Sequence, residues 1–559
     1  MWSPRLSLVP VLPVLTSLAV LAGALSCGGS SKPSTISSSW VAPSILAQVP
    51  ADSPYVIATL QPIDEKLRRR LLGTFNHSLV ELLETSAQVK AADRAGMAPF
   101  ARAMLALADE LRGRDLNNWW RELGFDPNGR FARYGLSVWP VARVEIADPN
   151  RVRGVLEHVI AAAGIQPQRA TLDGHAYMTA GTADMTVVAA VLEHEAVLAL
   201  VPTSALASAL PLVLGTQKPA HPLGATTKVT DLLARNHFLN VMLGYIDVRS
   251  LLAVMTGPTP SPLDAALRAK AGPVPPACSA DLARMVAAAP RMAFGYRRFD
   301  ERGFDGAMVV DTAPSVVTAF KRMHASVPEL TTPTSGHPLF AIGAALKPDE
   351  LIGWLRGVTA DLHAQPFTCP WFEGANRAAA ELAAKLSTPL PPMVRGVRGF
   401  SLVVDNLTIS PFDVEGHLLI AGDHAPDLVS MLTSSIPFLP NIPVKPDGRP
   451  VEIPTKQLDL PVRSAHVAMT PDRIVIAAGA NSAQRATAHL ATPAPRSSPL
   501  GLMVFDMSRL QALLAAIGSK DIDKLDYVGD MGMSLDVTDD GLGFEFWGTW
   551  KDPKPVLAR

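Results

Sequence analysis

The chain carries none of the short motifs that announce a common chemistry. It has no Gly-x-x-x-x-Gly-Lys loop to cradle phosphates, no Gly-x-Gly-x-x-Gly opening a helix, no His-Glu-x-x-His and no Cys-x-x-Cys pair. It also lacks the Gly-x-Ser-x-Gly elbow and the Ser-x-x-Lys dyad of serine hydrolases. The common nucleotide-binding, zinc and hydrolase classes lose their usual support. No catalytic, cofactor-binding or metal-ligating residue is therefore assigned from sequence, and no cofactor is expected.

Concentrated charge is missing too. With 50 basic and 51 acidic residues the formal net charge is −1, no run of four like charges occurs, and the densest basic cluster is Arg68-Arg69-Arg70. A nucleic-acid partner is excluded, because phosphate binding needs a concentrated positive footprint. Cysteine is scarce, with Cys27, Cys278 and Cys369 only.

What is present begins at the N-terminus. Met1 to Arg5 carries one positive charge, Leu6 to Ser26 is almost wholly apolar, and Ala24-Leu25-Ser26 puts small residues before Cys27 and the polar run Gly28-Gly29-Ser30-Ser31. That is the layout of a secretory signal peptide. It resembles the bacterial lipoprotein signal, which implies that residues 1–26 are removed and that Cys27 is lipidated. A spanning helix needs about 20 apolar residues without strong breakers, and Pro10 and Pro13 argue against one. A plain signal peptide with an incidental cysteine is the stronger rival, since Ala24 stands where the lipoprotein signal prefers Leu. Residues 27–50 then read as the lipidated cysteine and a flexible Ser/Thr/Pro-rich tether. Gly28 rather than Asp after the cysteine favours, by analogy with sorting rules, the periplasmic face of the outer membrane over the inner membrane. In an exported protein the remaining cysteines are expected to pair as a Cys278–Cys369 disulfide. Each sits in a Pro-rich approach to a helix, Pro275-Pro276-Ala277-Cys278 and Pro366-Phe367-Thr368-Cys369-Pro370, which places both near element starts rather than deep in a core.

The body is rich in apolar residues, 48% against 18% charged, so it can bury large cores. Its 49 prolines and 39 glycines are scattered, which punctuates it into short strands and helices. One local pattern recurs: an apolar strand, then Asp or Pro, then a helical stretch that ends at Gly. The copies run through Asp148-Pro149 to Gly164, through Asp247 to Gly257 and through Asp506 to Gly518. Asp at that junction is an N-cap, Pro fits the first turn, and Gly takes the left-handed conformation past the end. Alternation in Val414-Glu415-Gly416-His417-Leu418, and hairpins around Asp300-Glu301-Arg302-Gly303 and Asp539-Asp540-Gly541, indicate antiparallel pairing with one solvated face. The fold class expected is α+β: two related lobes from an internal duplication, residues 51–330 and 331–559, each a curved, mostly antiparallel sheet covered by helices. The linker between them is placed at Val327 to Gly336.

Pro50-Ala51-Asp52-Ser53-Pro54-Tyr55-Val56, Leu123-Gly124-Phe125-Asp126-Pro127, Gly244-Tyr245-Ile246-Asp247 and the stretch Pro391 to Phe400 resemble segments of uncharacterised predicted lipoproteins of high-GC Gram-negative bacteria. The resemblance implies an envelope location and brings no site residues with it.

The remaining candidates each have a plainer explanation. Asp521, Asp523, Asp526 and Asp530 lack the glycine and glutamate that an EF-hand loop needs at its sixth and twelfth positions, so a solvated connection is expected. His194 between Glu193 and Glu195 reads as an exposed turn histidine. Trp119-Trp120 reads as a core anchor rather than a stacking platform. The functional expectation is a lipid-anchored envelope protein, a non-enzymatic binding or structural module, with an envelope protein or a hydrophobic ligand as partner. The alternative is a carrier of a lipid or other hydrophobic ligand, and an enzyme assembled from distant residues is the third reading.

Overall fold

The computed structural model describes residues 42–551 apart from 63, 69–79, 81, 82, 86, 89–97, 113, 115, 273, 332–337, 436–441, 457–461 and 519–527. Cys27 and the signal segment lie outside the described residues, as do Asp521, Asp523 and Asp526. Among the described residues no helix is long and apolar enough to cross a membrane. Helices and nineteen strands are both present, and every strand register is antiparallel, so the class is α+β.

The chain divides into two compact units, Met1–Gly306 and Ala307–Arg559. The first contains β1 (Tyr55–Thr59), β2 (Phe131–Leu136), β3 (Trp139–Glu145), β4 (Gln168–Leu172), β5 (His175–Gly181), β6 (Met185–Val191), β7 (Glu195–Pro202), β8 (Leu243–Asp247) and β9 (Arg291–Asp300). Their order across the sheet is β4-β5-β6-β7-β3-β2-β1-β8-β9. β10 (Gly303–Asp311) follows, and the boundary between the units falls within it. Trp119 and Trp120 are core anchors, 2% and 5% exposed, packed with Met104, Leu111 and Phe131. The Trp120 indole N–H donates to the Asp126 carbonyl at 3.0 Å.

The second unit contains β11 (Phe340–Ala344), β12 (Val397–Ile409), β13 (Phe412–Gly422), β14 (Val451–Ile453), β15 (Ala465–Thr470), β16 (Arg473–Ala478), β17 (Gly501–Asp506), β18 (Val528–Val537) and β19 (Gly541–Trp550). They lie in the order β14-β15-β16-β13-β12-β11-β17-β18-β19. The two orders correspond over eight strands, β5 to β9 against β14 to β18 as they lie in the sheet, once β1 is matched to β11 and β8 to β17; β4 has no counterpart. In each, the first strand sits between the second and the strand that ends at a capping Asp.

The repeated capping holds. Asp148 accepts from the Asn150 and Arg151 amides, Asp247 from Ser250 and Asp506 from Arg509, each at the head of its helix. Gly164 and Gly518 adopt φ of +66° and +80°, as expected past a helix end. Gly257 does not: it is extended, with φ −57° and ψ 147°. Pro258 follows it, and the residue before a proline is pushed out of helical conformations towards the extended region.

Three local expectations need correction. Val327 and Leu330, placed in a linker, are buried in the second unit's core with Leu419, Val475, Leu490 and Val504. In β13, His417 is buried and Leu418 is only half-buried, so His417 of the alternating run faces the core. Cys278 and Cys369 are disulfide-bonded, as the cysteine count suggested. Both are fully buried, 0% and 1% exposed, although each opens an element.

The second unit's sheet has two unlike faces. On one, Ala341, Leu419, Val475, Leu502 and Val504 are buried with Ala486 and Leu490 of the helix Ser482–Leu490. On the other, Ile476, Leu418, Leu402, Ile342, Met503, Met533 and Phe546 are cross-strand neighbours over seven strands. None of these seven is buried.

Candidate functional site

The one cluster of metal-type donor groups among the described residues is Glu329, His417 and His489. Three elements deliver it. His417 points from β13 into the core and is 2% exposed at the side chain; His489 comes from the last turn of the helix Ser482–Leu490 and is 27% exposed. Glu329 stands between them in the segment after the helix Pro314–Met323. That segment is pinned on both sides: the Val327 amide donates to Ser498 Oγ at 3.0 Å, and Ser498 Oγ donates to the Val327 carbonyl at 3.1 Å. The Ser326 hydroxyl donates to the Pro495 carbonyl. Buried Val327 and Leu330 anchor the chain around Glu329, which takes a φ of +67°. A bulky non-glycine residue pays about 1–3 kcal/mol for that conformation, and strain of this kind tends to gather at functional sites.

The carboxylate reaches both rings. Glu329 Oε2 lies 2.6 Å from His417 Nε2, Oε1 lies 2.5 Å from His489 Nδ1, and the Thr492 hydroxyl donates to Oε1 at 3.0 Å. Burial alone would raise the Glu329 carboxyl; the hydrogen bonds from His417 and His489, and then their charges, outweigh it and hold it at about 2. The group is therefore ionised at neutral pH and accepts only, so each imidazole donates its proton to it. The rings are stacked, 3.6 Å between centroids and 18° between planes. His417 Nδ1 is buried without a hydrogen-bond partner.

No spacing motif announces this trio, and sequence reading, which named no metal ligand, did not bring its three residues together. His417 shares its face of β13 with Asp413 and Glu415 as well as Leu419 and Ala421, which is why sequence reading put it on the solvated face.

A second polar trio joins Ser464, His466 and Ser482. Ser482 Oγ lies 2.9 Å from His466 Nδ1 and 2.8 Å from Ser464 Oγ. Ser482 is 1% exposed at the start of its helix, out of reach of a substrate, so the trio ties the helix to β15.

The second unit also carries a groove of about 530 Å³. Leu339, Leu407, Ile409, Ala512, Leu513 and Ala516 give it an apolar lining, and Asn406, Thr408, Ser410 and Arg509 a polar one. The Arg509 guanidinium is held there by the Asp405 carbonyl. The volume lies in the range of small-molecule sites, about 300–1,000 Å³.

The residues singled out from sequence do not converge on either feature, except that Asp506 caps the helix that lines the groove. His194 is exposed at the surface, 84%, beside Glu193. Asp530 is in β18, where the Thr549 hydroxyl donates to its carboxylate. No family model matches the chain, and no curated protein or solved structure is significantly similar to it.

Proposed function

We propose that the protein is a non-enzymatic binding module of the bacterial envelope, anchored through a lipid on Cys27, and that its second unit takes up an amphiphile with an apolar tail. The observation that carries this reading is the groove: six apolar residues line it, with an arginine and three small polar side chains beside them. An acyl-type chain fits the apolar part by burial of its surface, and its head group finds donors at the polar part. The apolar row across the same unit's sheet, half-buried except for exposed Met533, supports the reading as apolar surface that is only partly covered. The two units derive from an internal duplication; the common strand order and the matching Asp247 and Asp506 caps support this. The anchor sorts the protein to the periplasmic face of the outer membrane.

Organic extracts of the purified protein, read by mass spectrometry, test the cargo. A stoichiometric amphiphile is expected in the wild type and a several-fold lower amount in Leu513→Lys. Equal amounts in both, or none in either, would overturn the carrier reading and leave a protein-docking role for the apolar row. Fractionation tests the anchor: Cys27→Ser should move the protein from membranes to the soluble fraction.

A further inference from the structure

We propose that Glu329, His417 and His489 form a binding site for one divalent transition-metal ion, with zinc as the best match to the donor set. Each offers one ligand atom, and the three atoms lie within 4.8 Å of one another. Two imidazole nitrogens and one carboxylate oxygen are the donors of three-ligand zinc sites, in which a water completes the tetrahedron. Calcium and magnesium prefer all-oxygen sets and are poor matches.

The surroundings fit that role. Exposure rises from 2% at the His417 side chain through 14% at Glu329 to 27% at His489, so the site is rooted in the core and opens on one side. An ion and its water ligand would approach from the His489 side, the most exposed of the three. The Thr492 hydroxyl on Glu329 Oε1 is an outer-shell hydrogen bond of the kind that orients a metal-bound carboxylate. With bonds of about 2.1 Å in a tetrahedron, ligand atoms stand about 3.4 Å apart. The contacts of 2.6 and 2.5 Å must then open by under about 1 Å, and the stacked imidazoles must tilt apart so that both in-plane lone pairs meet the ion, which replaces the two N–H···O hydrogen bonds. His417 then carries its proton on the buried Nδ1, and His489 carries its own on Nε2. None of the three residues lines the groove, so the proposal stands whether or not the groove binds an amphiphile.

The full-length protein, stripped with a chelator, is titrated with Zn²⁺ by calorimetry and with Co²⁺ by absorption spectroscopy. One ion per chain is expected, with Co²⁺ d–d bands of tetrahedral intensity. His489→Ala and Glu329→Gln should each weaken Zn²⁺ at least tenfold while circular dichroism stays unchanged. The exposed control His194→Ala should bind as the wild type does. Absence of stoichiometric binding, unchanged affinity in both site variants, or loss in the His194→Ala control would overturn the proposal and leave the trio as a hydrogen-bonded brace.

Discussion

Glu329 shows how one residue can be held in a conformation it does not prefer. Its left-handed backbone costs roughly 1–3 kcal/mol, and the compensation comes from the two imidazoles, the Thr492 hydroxyl and the burial of Val327 and Leu330 on either side. Its carboxyl sits at about 2 in the folded chain against an ordinary 4.5, so the folded state binds fewer protons there than the unfolded state. The stabilisation this brings, about 3 kcal/mol at most, is fully present above the ordinary value and is lost as pH falls from about 4.5 towards 2. Glu329→Gln removes the titrating group. Urea unfolding at pH 6 and at pH 3 should show the variant markedly less stable than the wild type at pH 6, with the gap narrowing at pH 3; a gap independent of pH would refute the coupling. Nothing local in the sequence encodes this site. His417 and Glu329 are 88 positions apart and His489 and Glu329 are 160 apart, and proximity over such separations is decided by strand order.

At the scale of elements the sequence was far more legible, because the signals are local. A capping Asp acts over three residues, and the hairpins β9–β10 and β18–β19 turn on Asp and Gly within four. The caps at Asp148, Asp247 and Asp506 needed no tertiary information, and all three formed. The hairpin β4–β5 was not anticipated: β4 is largely exposed and β5 mostly half-buried, so no buried face gave it a period. Nor were the helix C-terminal brackets. Arg143, fully buried, donates to the Leu212 and Val213 carbonyls at the end of the helix Leu206–Leu214, and Arg473 donates to the Leu490 and Thr492 carbonyls at the end of the helix Ser482–Leu490. Each pairing spans elements that the sequence does not link. The local cap is the easier one to test. Asp148→Ala removes two amide acceptor contacts at 3.0 and 3.2 Å, while its ion pair with Arg151 is exposed and contributes little. The loss expected in chemical denaturation is about 1 kcal/mol; a loss above about 3 kcal/mol would mean that Asp148 does more than cap.

At the scale of the whole molecule, the shared strand order was legible only as a rhythm of capped strand-helix copies. The pairing β3–β7 in one unit and β13–β16 in the other could not be read from it, because those partners are separated by inserted strands. The placement of the linker failed for a related reason: Pro and Gly content marks irregular backbone, yet the irregular stretch through Val327 and Leu330 is core. The disulfide was legible from the cysteine count and the expectation of export, whereas its complete burial was not. Cys278 and Cys369 close a loop of about 90 residues, and restricting the unfolded chain over that length is worth roughly 4 kcal/mol in the entropic account. Because both sulfurs are buried, reductant should not reach them in the native state: thiol titration of folded protein should read no free thiol from this pair, and titration after unfolding in reductant should read two. Cys278→Ser adds the cost of a buried unpaired thiol and hydroxyl to the lost constraint, so its unfolding midpoint should fall well below that of the wild type. Under reducing denaturation the two proteins should converge, since the wild type then loses the same crosslink. A variant as stable as the wild type under oxidising conditions would show that the bond contributes nothing to the fold.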